Sequence, residues 1–255
     1  MNVQDAQHDV PTPWLIQCGV WFKIFLHVVS GVCILCFIFP FTSDRNKQHQ
    51  IQAWSKRLLA ILKIQLVVQG GQNLPGTPYL QVSNHISWLD IHVINAFRPI
   101  RFVAKSEVAS WPIVGWMAQQ LRTVFIRRDS SRHARQVVGQ VAAVLKTESI
   151  CIFPEGTSTT GDSVLPFKPN LFESAAIAKI PVYPVALQYL SRRTGGRSYA
   201  PAFIGDMGLL ESMSRVIKNR HLQAQLMVLE SVNPISELDR KELARHCQEA
   251  IAQAL

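Results

Sequence analysis

A strand meets a helix in the stretch Val82-Ser83-Asn84-His85-Ile86-Ser87-Trp88-Leu89-Asp90. Residues 79–83 have the composition of a short buried strand and residues 88–97 that of a helix, so His85 falls in the turn between them. On one continuous helix, side chains five positions apart would point about 140° apart, so His85 and Asp90 can meet only if His85 precedes the helix. The Asp90 carboxylate would then hold one imidazole nitrogen and leave the other to take a proton from a hydroxyl. The stretch therefore predicts an oriented general base.

The same residues allow a purely structural interpretation. Ser87 and Asp90 have the spacing of a capping box, with aspartate in place of the usual glutamate, in which the carboxylate reaches back to the Ser87 amide. His85 would then be an ordinary turn residue. These nine residues do not decide between the two interpretations, so the decision depends on the rest of the chain.

Composition indicates an enzyme-sized chain with one membrane-associated end. The 255 residues suffice for one large domain or two small ones. The hydrophobic share of 48% is high for a soluble enzyme and low for a transporter with many spans. A net charge of +9 suits a partner that carries phosphate, either nucleic acid or anionic lipid.

The cysteines give no sign of a disulfide framework. There are five of them, an odd number, and they are scattered along the chain: Cys18, Cys33, Cys36, Cys151 and Cys247. Cys33 and Cys36 have C-x-x-C spacing but lie inside an apolar run, which disfavours a redox site. A reducing, cytoplasmic compartment is expected for the main domain.

The N-terminal quarter of the chain has the composition of a membrane anchor. Residues 1–13 are predicted to be a disordered tail, and residues 24–41 form eighteen positions without a charged side chain, the lower limit for a spanning helix. Residues 51–64 predict an amphipathic helix that lies on lipid headgroups, or alternatively one that packs on the domain. We therefore assign residues 14–64 to an anchor that either crosses or dips into the bilayer.

The charges around the anchor predict its orientation. No basic region precedes the apolar run, which argues against a cleavable signal peptide. Arg45, Lys47, Lys56, Arg57 and Lys63 follow it, and cytoplasmic flanks are rich in such residues. The sequence thus predicts a cytoplasmic (inner) membrane protein whose catalytic part, residues 65–255, lies on the cytoplasmic face.

After the anchor, the pattern becomes that of an α/β domain. Short apolar runs predict strands at residues 64–68, 79–83, 100–104, 123–127, 149–153 and 182–189, with a late strand at 226–229. Helices are predicted near 87–97, 112–120, 130–147, 170–179 and 238–254. This alternation is typical of a mostly parallel central sheet covered by helices on both faces.

Polar residues follow three of the predicted strands. His85 follows one, Arg127 and Arg128 end a second, and Glu155-Gly156-Thr157 follows a third. Ligands of open α/β sheets bind outside the carboxyl ends of the strands, where these groups would converge. Arg127 and Arg128 could instead be solvated cations, and Glu155 could bond nearby turn amides. The convergence favours the functional interpretation, and Lys105 and Lys168 could add positive charge to the same crevice.

Other catalytic motifs fit poorly. The second glycine of residues 156–161 comes one residue too late for G-x-S-x-G, and no phosphate-binding glycine motif occurs. His85, Asp90, His92 and Glu155 could form a metal site, but His92 points to another side of the helix from Asp90. No residue is therefore assigned to a metal.

Four blocks of the sequence resemble the glycerolipid acyltransferases of the 1-acylglycerol-3-phosphate type. The first block is their N-H-x-x-x-x-D pattern, and the order and spacing of the others also match. The blocks are Asn84 to Asp90, Phe125 to Arg128, Phe153-Pro154-Glu155-Gly156-Thr157, and Val182 to Ala186 with Pro184 at its centre, and Val103 to Glu107 also matches between the first two. The resemblance covers roughly residues 65–210.

The resemblance implies acyl transfer from a thioester to the hydroxyl of a lysolipid. His85 would be the general base, and Asp90 would hold its imidazole. Binding of the acceptor would fall to Arg128 and to Glu155-Gly156-Thr157, with Arg122, Arg127, Lys105 and Lys168 as further candidates. The family needs no resident cofactor, and the donor would be acyl-CoA or an acyl carrier protein thioester. Membrane lipids are the expected partners, and nucleic acid is not.

Two departures from the family pattern concern the acceptor. Ser158 stands where the third block commonly has a phosphate-binding arginine, and Arg122 stands where the second block commonly begins with glycine. Either Arg122, Arg127 or Arg128 rebuilds the phosphate clamp, or the acceptor is not a phosphomonoester. The sequence after Thr157 also resembles a bacterial subgroup that includes lyso-ornithine lipid acyltransferases.

Lysophosphatidic acid is the acceptor predicted first, and lyso-ornithine lipid is the alternative. More remote alternatives are a lipid-binding module without catalysis and a metal-dependent hydrolase.

Overall fold

The computed structural model describes residues 12–127, 131–232 and 239–255, except for the side chains of residues 131–134. Most of the predicted disordered tail, residues 1–11, lies outside these ranges, and so does Arg128.

Two N-terminal helices precede the α/β part of the chain. Helix α1 spans Trp14–Cys33 and continues through a π-helical turn, Ile34–Ile38, and a 3₁₀ turn, Phe39–Phe41. Helix α2 spans Asp44–Leu62 and is capped by the Ser43 hydroxyl. The segment Trp14–Phe41 is long and apolar enough to cross a membrane, and only 28% of its most apolar window is buried in the protein.

Helix α2 also contributes to the interior. Its residues Leu58, Leu59 and Leu62 are buried in the same core as Val20 and Ile24 of α1. The indole of Trp54 donates a hydrogen bond to the His27 carbonyl of α1 at 3.1 Å. One face of α2 therefore packs on the protein, as the structural alternative for this segment predicts, and its lipid contact remains a prediction.

A seven-stranded sheet and six further helices form the remainder of the described chain. The strands are β1 Gln65–Gln69, β2 Leu80–Ser83, β3 Arg101–Lys105, β4 Val124–Ile126, β5 Ile150–Ile152, β6 Val182–Ser191 and β7 Leu222–Val228. The helices are α3 Leu89–Phe97, α4 Val114–Gln120, α5 Ser131–Leu145, α6 Glu173–Ala178, α7 Leu209–Lys218 and α8 Arg240–Ala254. Three 3₁₀ turns lie at Gly71–Asn73, Ser106–Ser110 and Pro169–Phe172.

The sheet has the order β1-β7-β6-β2-β5-β3-β4, and the predicted mostly parallel arrangement is confirmed. Every neighbouring pair is parallel except β6 and β7, which run antiparallel. Strand β2 lies at the centre, where Val82 pairs with Ile152 on one side and Pro184 on the other. All four residues of β2 are buried because helices cover both faces of the sheet.

Three elements in the second half of the chain differ from the prediction. Helix α7 was not predicted. Its buried residues are Ser212, Val216 and Ile217, and the polar Ser212 interrupts the apolar pattern. Strand β7 begins four residues earlier than predicted, because Gln223 and Gln225 break the apolar run. The structure shows that buried and half-buried residues alternate there, as in a strand with one covered face. The predicted helix 170–179 is divided between a 3₁₀ turn and the shorter α6.

A buried amide joins the end of β2 to β6. The Asn84 side chain donates to the Leu187 carbonyl and accepts from the Leu187 amide, both at 2.8 Å. In this way the side chain continues the pairing of β2 and β6 beyond Ser83, where their backbone pairing ends. The turn that carries His85 therefore starts from a fixed point.

Replacement of Asn84 by alanine is expected to destabilise the protein. Two buried backbone groups of Leu187 would lose their partners, at a cost of about 1–3 kcal/mol for each group. Urea unfolding in detergent measures the change, with Asn46→Ala on the exposed side of α2 as the matched control. Equal stability of the two variants would contradict this account.

Candidate active site

The predicted contact between His85 and Asp90 is present. Imidazole Nδ1 lies 2.8 Å from Oδ2 of Asp90. His85 lies in the turn after β2, and Asp90 lies in the first turn of α3, as the spacing of the two residues requires. The Asp90 side chain is fully buried, while 23% of the His85 side chain is exposed. The pair therefore presents one solvent-accessible ring backed by an inaccessible carboxylate.

Asp90 accepts hydrogen bonds from four donors. Besides His85, Oδ2 accepts from the amides of Ile86 at 2.7 Å and Ser87 at 2.9 Å. The other oxygen, Oδ1, accepts from the Tyr189 hydroxyl at 2.8 Å. A carboxylate without solvent needs such donors if it is to remain charged.

Both interpretations of residues 82–90, as an oriented general base and as a capping box, are therefore partly correct. Asp90 does reach back to the Ser87 amide, as in a capping box. The Ser87 hydroxyl, however, accepts from the Leu89 amide, and Trp88 occupies the N-cap position of α3. The same carboxylate fixes the turn and orients the imidazole.

The tautomer of His85 follows from this arrangement. An ionised carboxylate can only accept, so Nδ1 carries the proton and Nε2 has the free electron pair. The imidazole stacks on Phe153, with 4.2 Å between ring centroids and 19° between ring planes. The ring lines a cavity of about 1240 Å³. His85 can thus act as a base toward a group bound in this cavity.

Glu155 has a structural contact that the sequence left open. One carboxylate oxygen accepts from the His85 amide at 2.7 Å, and the other accepts from the Leu165 amide at 2.9 Å. Burial raises the pKa of Glu155 above its ordinary value, although the two amides oppose that shift. The carboxylate therefore holds the backbone of His85, and its contact with an acceptor remains a prediction.

The residues that follow Glu155 place the third block, which ends at Thr157, against the first block, which begins at Asn84. Gly156 has a positive φ of 74°, and Thr157 is exposed at the cavity wall. The Thr159 amide donates to the His85 carbonyl at 2.9 Å, and the Phe203 amide donates to the Ile86 carbonyl at 2.9 Å. The backbone on both sides of the His85 ring is therefore fixed.

The predicted cations divide into two groups. Lys105 ends β3, Arg127 follows β4, and Lys168 donates its amide to the Pro154 carbonyl, so all three lie toward the carboxyl edge and line the cavity. Arg122 precedes β4, at the amino edge, where it lies 3.8 Å from Glu148, and it lines the same cavity as the other three. Arg128 is outside the described residues.

The other motif residues support the site, and two of them, Phe153 and Pro154, also line its cavity. Phe153 lies under the imidazole, and buried Pro154 follows it. Pro184 lies in β6 opposite Val82, and its carbonyl accepts from the Leu229 amide. Together with Asn84, these residues hold the strand ends that carry the block sequences.

As predicted from the sequence, His92 lies apart from His85 and Asp90. It lies against Trp54 and Trp88, with centroid distances of 5.4 and 5.8 Å. Burial, and then the nearby His27, lower the His92 pKa to about 4, so its imidazole is neutral at physiological pH. The four-residue metal set considered from the sequence is therefore not assembled.

Sequence reasoning missed Tyr189. It lies in β6, 99 positions from Asp90 along the chain, and nothing in its local pattern distinguishes it from a core residue. Burial, and then the Asp90 charge, raise its pKa well above the ordinary value, so the hydroxyl keeps its proton and remains a donor.

These features define a class of protein. An aspartate-oriented imidazole at the carboxyl edge of a mostly parallel sheet faces a large cavity, beside an exposed apolar helix. Such a site suits general-base chemistry on a hydroxyl carried by a partly apolar substrate.

Comparison with known proteins identifies the family. The family model described as Acyltransferase matches residues 65–188. A lyso-ornithine lipid O-acyltransferase of Pseudomonas aeruginosa is 39% identical over 82% of this chain and 79% of its own length. A 1-acyl-sn-glycerol-3-phosphate acyltransferase of Neisseria gonorrhoeae is 34% identical over 94% of this chain and 88% of its own length. The chain belongs to this acyltransferase family.

The fold is shared with a solved structure. The crystal structure of the 1-acyl-sn-glycerophosphate acyltransferase PlsC from Thermotoga maritima is similar with a TM-score of 0.69 and 25% sequence identity. The similarity covers 94% of this chain and 93% of that one. It therefore includes the N-terminal helices as well as the sheet.

Tyr189→Phe tests the contact behind Asp90. The variant keeps the ring but removes one donor to a charged group, so kcat is expected to fall about three- to thirtyfold. KM should stay unchanged, because Tyr189 does not line the cavity. Steady-state kinetics measure both constants, and Tyr183→Phe on the same strand is the matched control. An unchanged kcat would show that Tyr189 has no effect on the imidazole.

Proposed function

We propose that the protein is a membrane-associated O-acyltransferase that moves a fatty acyl group from a thioester to the hydroxyl of a lysolipid. The contact between His85 and the buried Asp90 carries this proposal, because it provides a base directed into a cavity. The family membership supports the reaction, and the exposed apolar helix α1 supports the membrane setting.

The proposed reaction needs no protein nucleophile. The acceptor hydroxyl donates to Nε2 of His85 and attacks the thioester carbonyl as its proton moves to the imidazole. Asp90 stabilises the resulting imidazolium through Nδ1. The tetrahedral intermediate then forms the ester and releases the thiolate, which takes the proton back from Nε2. Backbone amides at the strand ends are the candidate donors to the oxyanion.

The acceptor that we propose first is lyso-ornithine lipid, whose head carries a carboxylate instead of a phosphomonoester. Ser158 occupies the position of the family's phosphate-binding arginine, and its hydroxyl donates to the Phe203 carbonyl. Arg122, one candidate for a rebuilt clamp, lines the cavity but lies 3.8 Å from Glu148 at the amino edge of the sheet. The relative from Pseudomonas aeruginosa acts on this class of acceptor by its name.

Lysophosphatidic acid, which the sequence predicts first, remains the second candidate. The cations Lys105, Arg127 and Lys168 line the cavity, and together they could bind a phosphate without the missing arginine. The relative from Neisseria gonorrhoeae is named for this acceptor.

The donor and the location complete the proposal. An acyl-CoA or acyl carrier protein thioester would supply the acyl group, and no further cofactor is required. The basic residues after the apolar segment support an inner-membrane location with the catalytic part, residues 65–255, on the cytoplasmic face. Residues 14–64 would then form the anchor.

Acyl transfer by purified protein in detergent tests the function. A labelled acyl thioester is offered with lyso-ornithine lipid and lysophosphatidic acid in parallel, to wild type and to His85→Ala. Loss of the base should reduce kcat by about a hundredfold or more. The control is His246→Ala on α8, away from the cavity. Equal rates for wild type and His85→Ala on every acceptor would refute the catalytic role.

Ser158→Arg tests the choice of acceptor. Restoring a guanidinium at this position should raise the rate with lysophosphatidic acid relative to lyso-ornithine lipid, by about tenfold if one charge-assisted contact forms. The ratio of kcat/KM for the two acceptors is the measurement, with Ser163→Arg at an exposed position as the control. A wild-type enzyme that strongly prefers lysophosphatidic acid would reverse the proposed order of acceptors.

A further inference from the structure

A strained turn precedes helix α4. Ile113 has φ of 61° and ψ of −60°, and the Val114 amide donates to the Pro112 carbonyl at 2.6 Å. These values describe a γ-turn with Ile113 at its centre, a rare and strained conformation. For a β-branched residue a positive φ is a genuine outlier, so the surrounding structure must enforce it.

The surroundings of the turn leave little room for relaxation. The Gly115 amide donates to the Trp111 carbonyl at 2.9 Å, and the Met117 amide donates to the Ile113 carbonyl at 2.8 Å. A Cβ on Gly115 would lie only 2.4 Å from the Ala109 carbonyl oxygen, so the start of α4 is pressed against the preceding 3₁₀ turn. The backbone is therefore fixed in the strained form.

The strained turn directs apolar side chains outward. Ile113 is 53% exposed and Val114 is 40% exposed. Burial of the Ile113 side chain does not explain the strained conformation, because that side chain faces solvent. An inference from strain to function is therefore warranted at this position.

The turn lies beside the apolar helix α1. A Cβ on Gly31 of α1 would lie 2.8 Å from Cε of Met117, so α4 approaches α1 closely at this glycine. Ile113 is one helical turn before Met117, about 5–6 Å along α4. On α1 itself, Phe22, Phe25, Leu26 and Val29 are exposed, on a face of the helix away from Gly31. The turn thus lies beside α1, although it approaches the buried face of that helix.

The turn also forms part of the cavity wall. Trp111, Val114 and Met117 line the cavity that contains His85, together with Ile24 and Val28 of α1. The cavity is therefore bounded on one side by α1 and on another by the start of α4.

We propose that residues 111–114 form a second membrane contact, in which Ile113 and Val114 insert among lipid acyl chains beside α1. The occupant of this surface is a lipid bilayer, because the surface adjoins the one helix in the described chain that is apolar enough to cross a membrane. The inference rests on the proposed membrane setting of α1. The turn would hold the cavity entrance at the bilayer surface, with α1 as the other contact.

The experiment compares activity on two forms of the same acceptor. Wild type, Ile113→Asp and Ile177→Asp are assayed with the lysolipid in phosphatidylcholine–phosphatidylglycerol vesicles and in detergent micelles. Ile177 is the matched control, since it is 54% exposed and lies on α6, outside the cavity wall. The vesicle-to-micelle rate ratio of Ile113→Asp should fall about tenfold, from the loss of one buried isoleucine and the cost of the charge. The ratio of Ile177→Asp should match wild type.

A further variant separates membrane contact from folding. Ile113→Gly relieves the strain, so its thermal stability should equal or exceed that of wild type. It also removes the apolar side chain, so its vesicle-to-micelle ratio should still fall.

Trp111 fluorescence gives a direct reading of insertion. Lipids with brominated acyl chains should quench the emission that wild type has and Trp111→Phe lacks, and Ile113→Asp should reduce this quenching.

The outcomes distinguish this inference from the proposed function. Equal ratios and equal quenching in wild type, Ile113→Asp and Ile177→Asp would overturn the second contact while leaving acyl transfer intact. An equal fall in Ile177→Asp would overturn it too, because any added surface charge would then suffice. If wild type fails in micelles as well, the proposed reaction itself is wrong.

Discussion

The turn after β2, the start of α3 and strand β6 meet at one buried, hydrogen-bonded carboxylate, that of Asp90. The two oxygens of Asp90 collect donors from the turn after β2, from the imidazole of that turn and from Tyr189 on β6. Each donor requires its own element to be in place, because hydrogen bonds of this length tolerate little displacement. A buried charge that loses its partners is strongly destabilising, so the turn, the helix and the central strands are mutually constrained.

The requirement of the fold and the requirement of the chemistry coincide at this point. A general base must have a fixed tautomer and a fixed direction, and the contact that stabilises the turn provides both. Glu155 also fixes the position of His85, but its carboxylate accepts from the backbone amide of His85 and not from the imidazole ring. The acidic residues of the two blocks therefore act mainly on the position of one imidazole.

Much of this arrangement could be predicted from the sequence. Short apolar runs gave the strands, and the rule that ligands meet the carboxyl ends of parallel strands brought His85, Arg127 and Glu155 to one edge. Local patterns could not reveal contacts between distant segments, so Tyr189 behind Asp90 was missed. Arg122 and Arg127 lie at opposite ends of β4 and both line the cavity, so the contact of either one with an acceptor stays a prediction. Helix α7 was missed because a buried serine interrupts its apolar face.

If Asp90 makes His85 a base, Asp90→Asn should remove most of the activity. The amide is nearly isosteric, but it cannot stabilise an imidazolium or fix the tautomer as a carboxylate does. Single-turnover acyl transfer is the measurement, with circular dichroism to confirm that the variant is folded. The account predicts a rate that is lower by on the order of a thousandfold or more. A folded variant that transfers acyl groups within about threefold of the wild-type rate would contradict it, because a threefold change corresponds to only about 0.6 kcal/mol of barrier height.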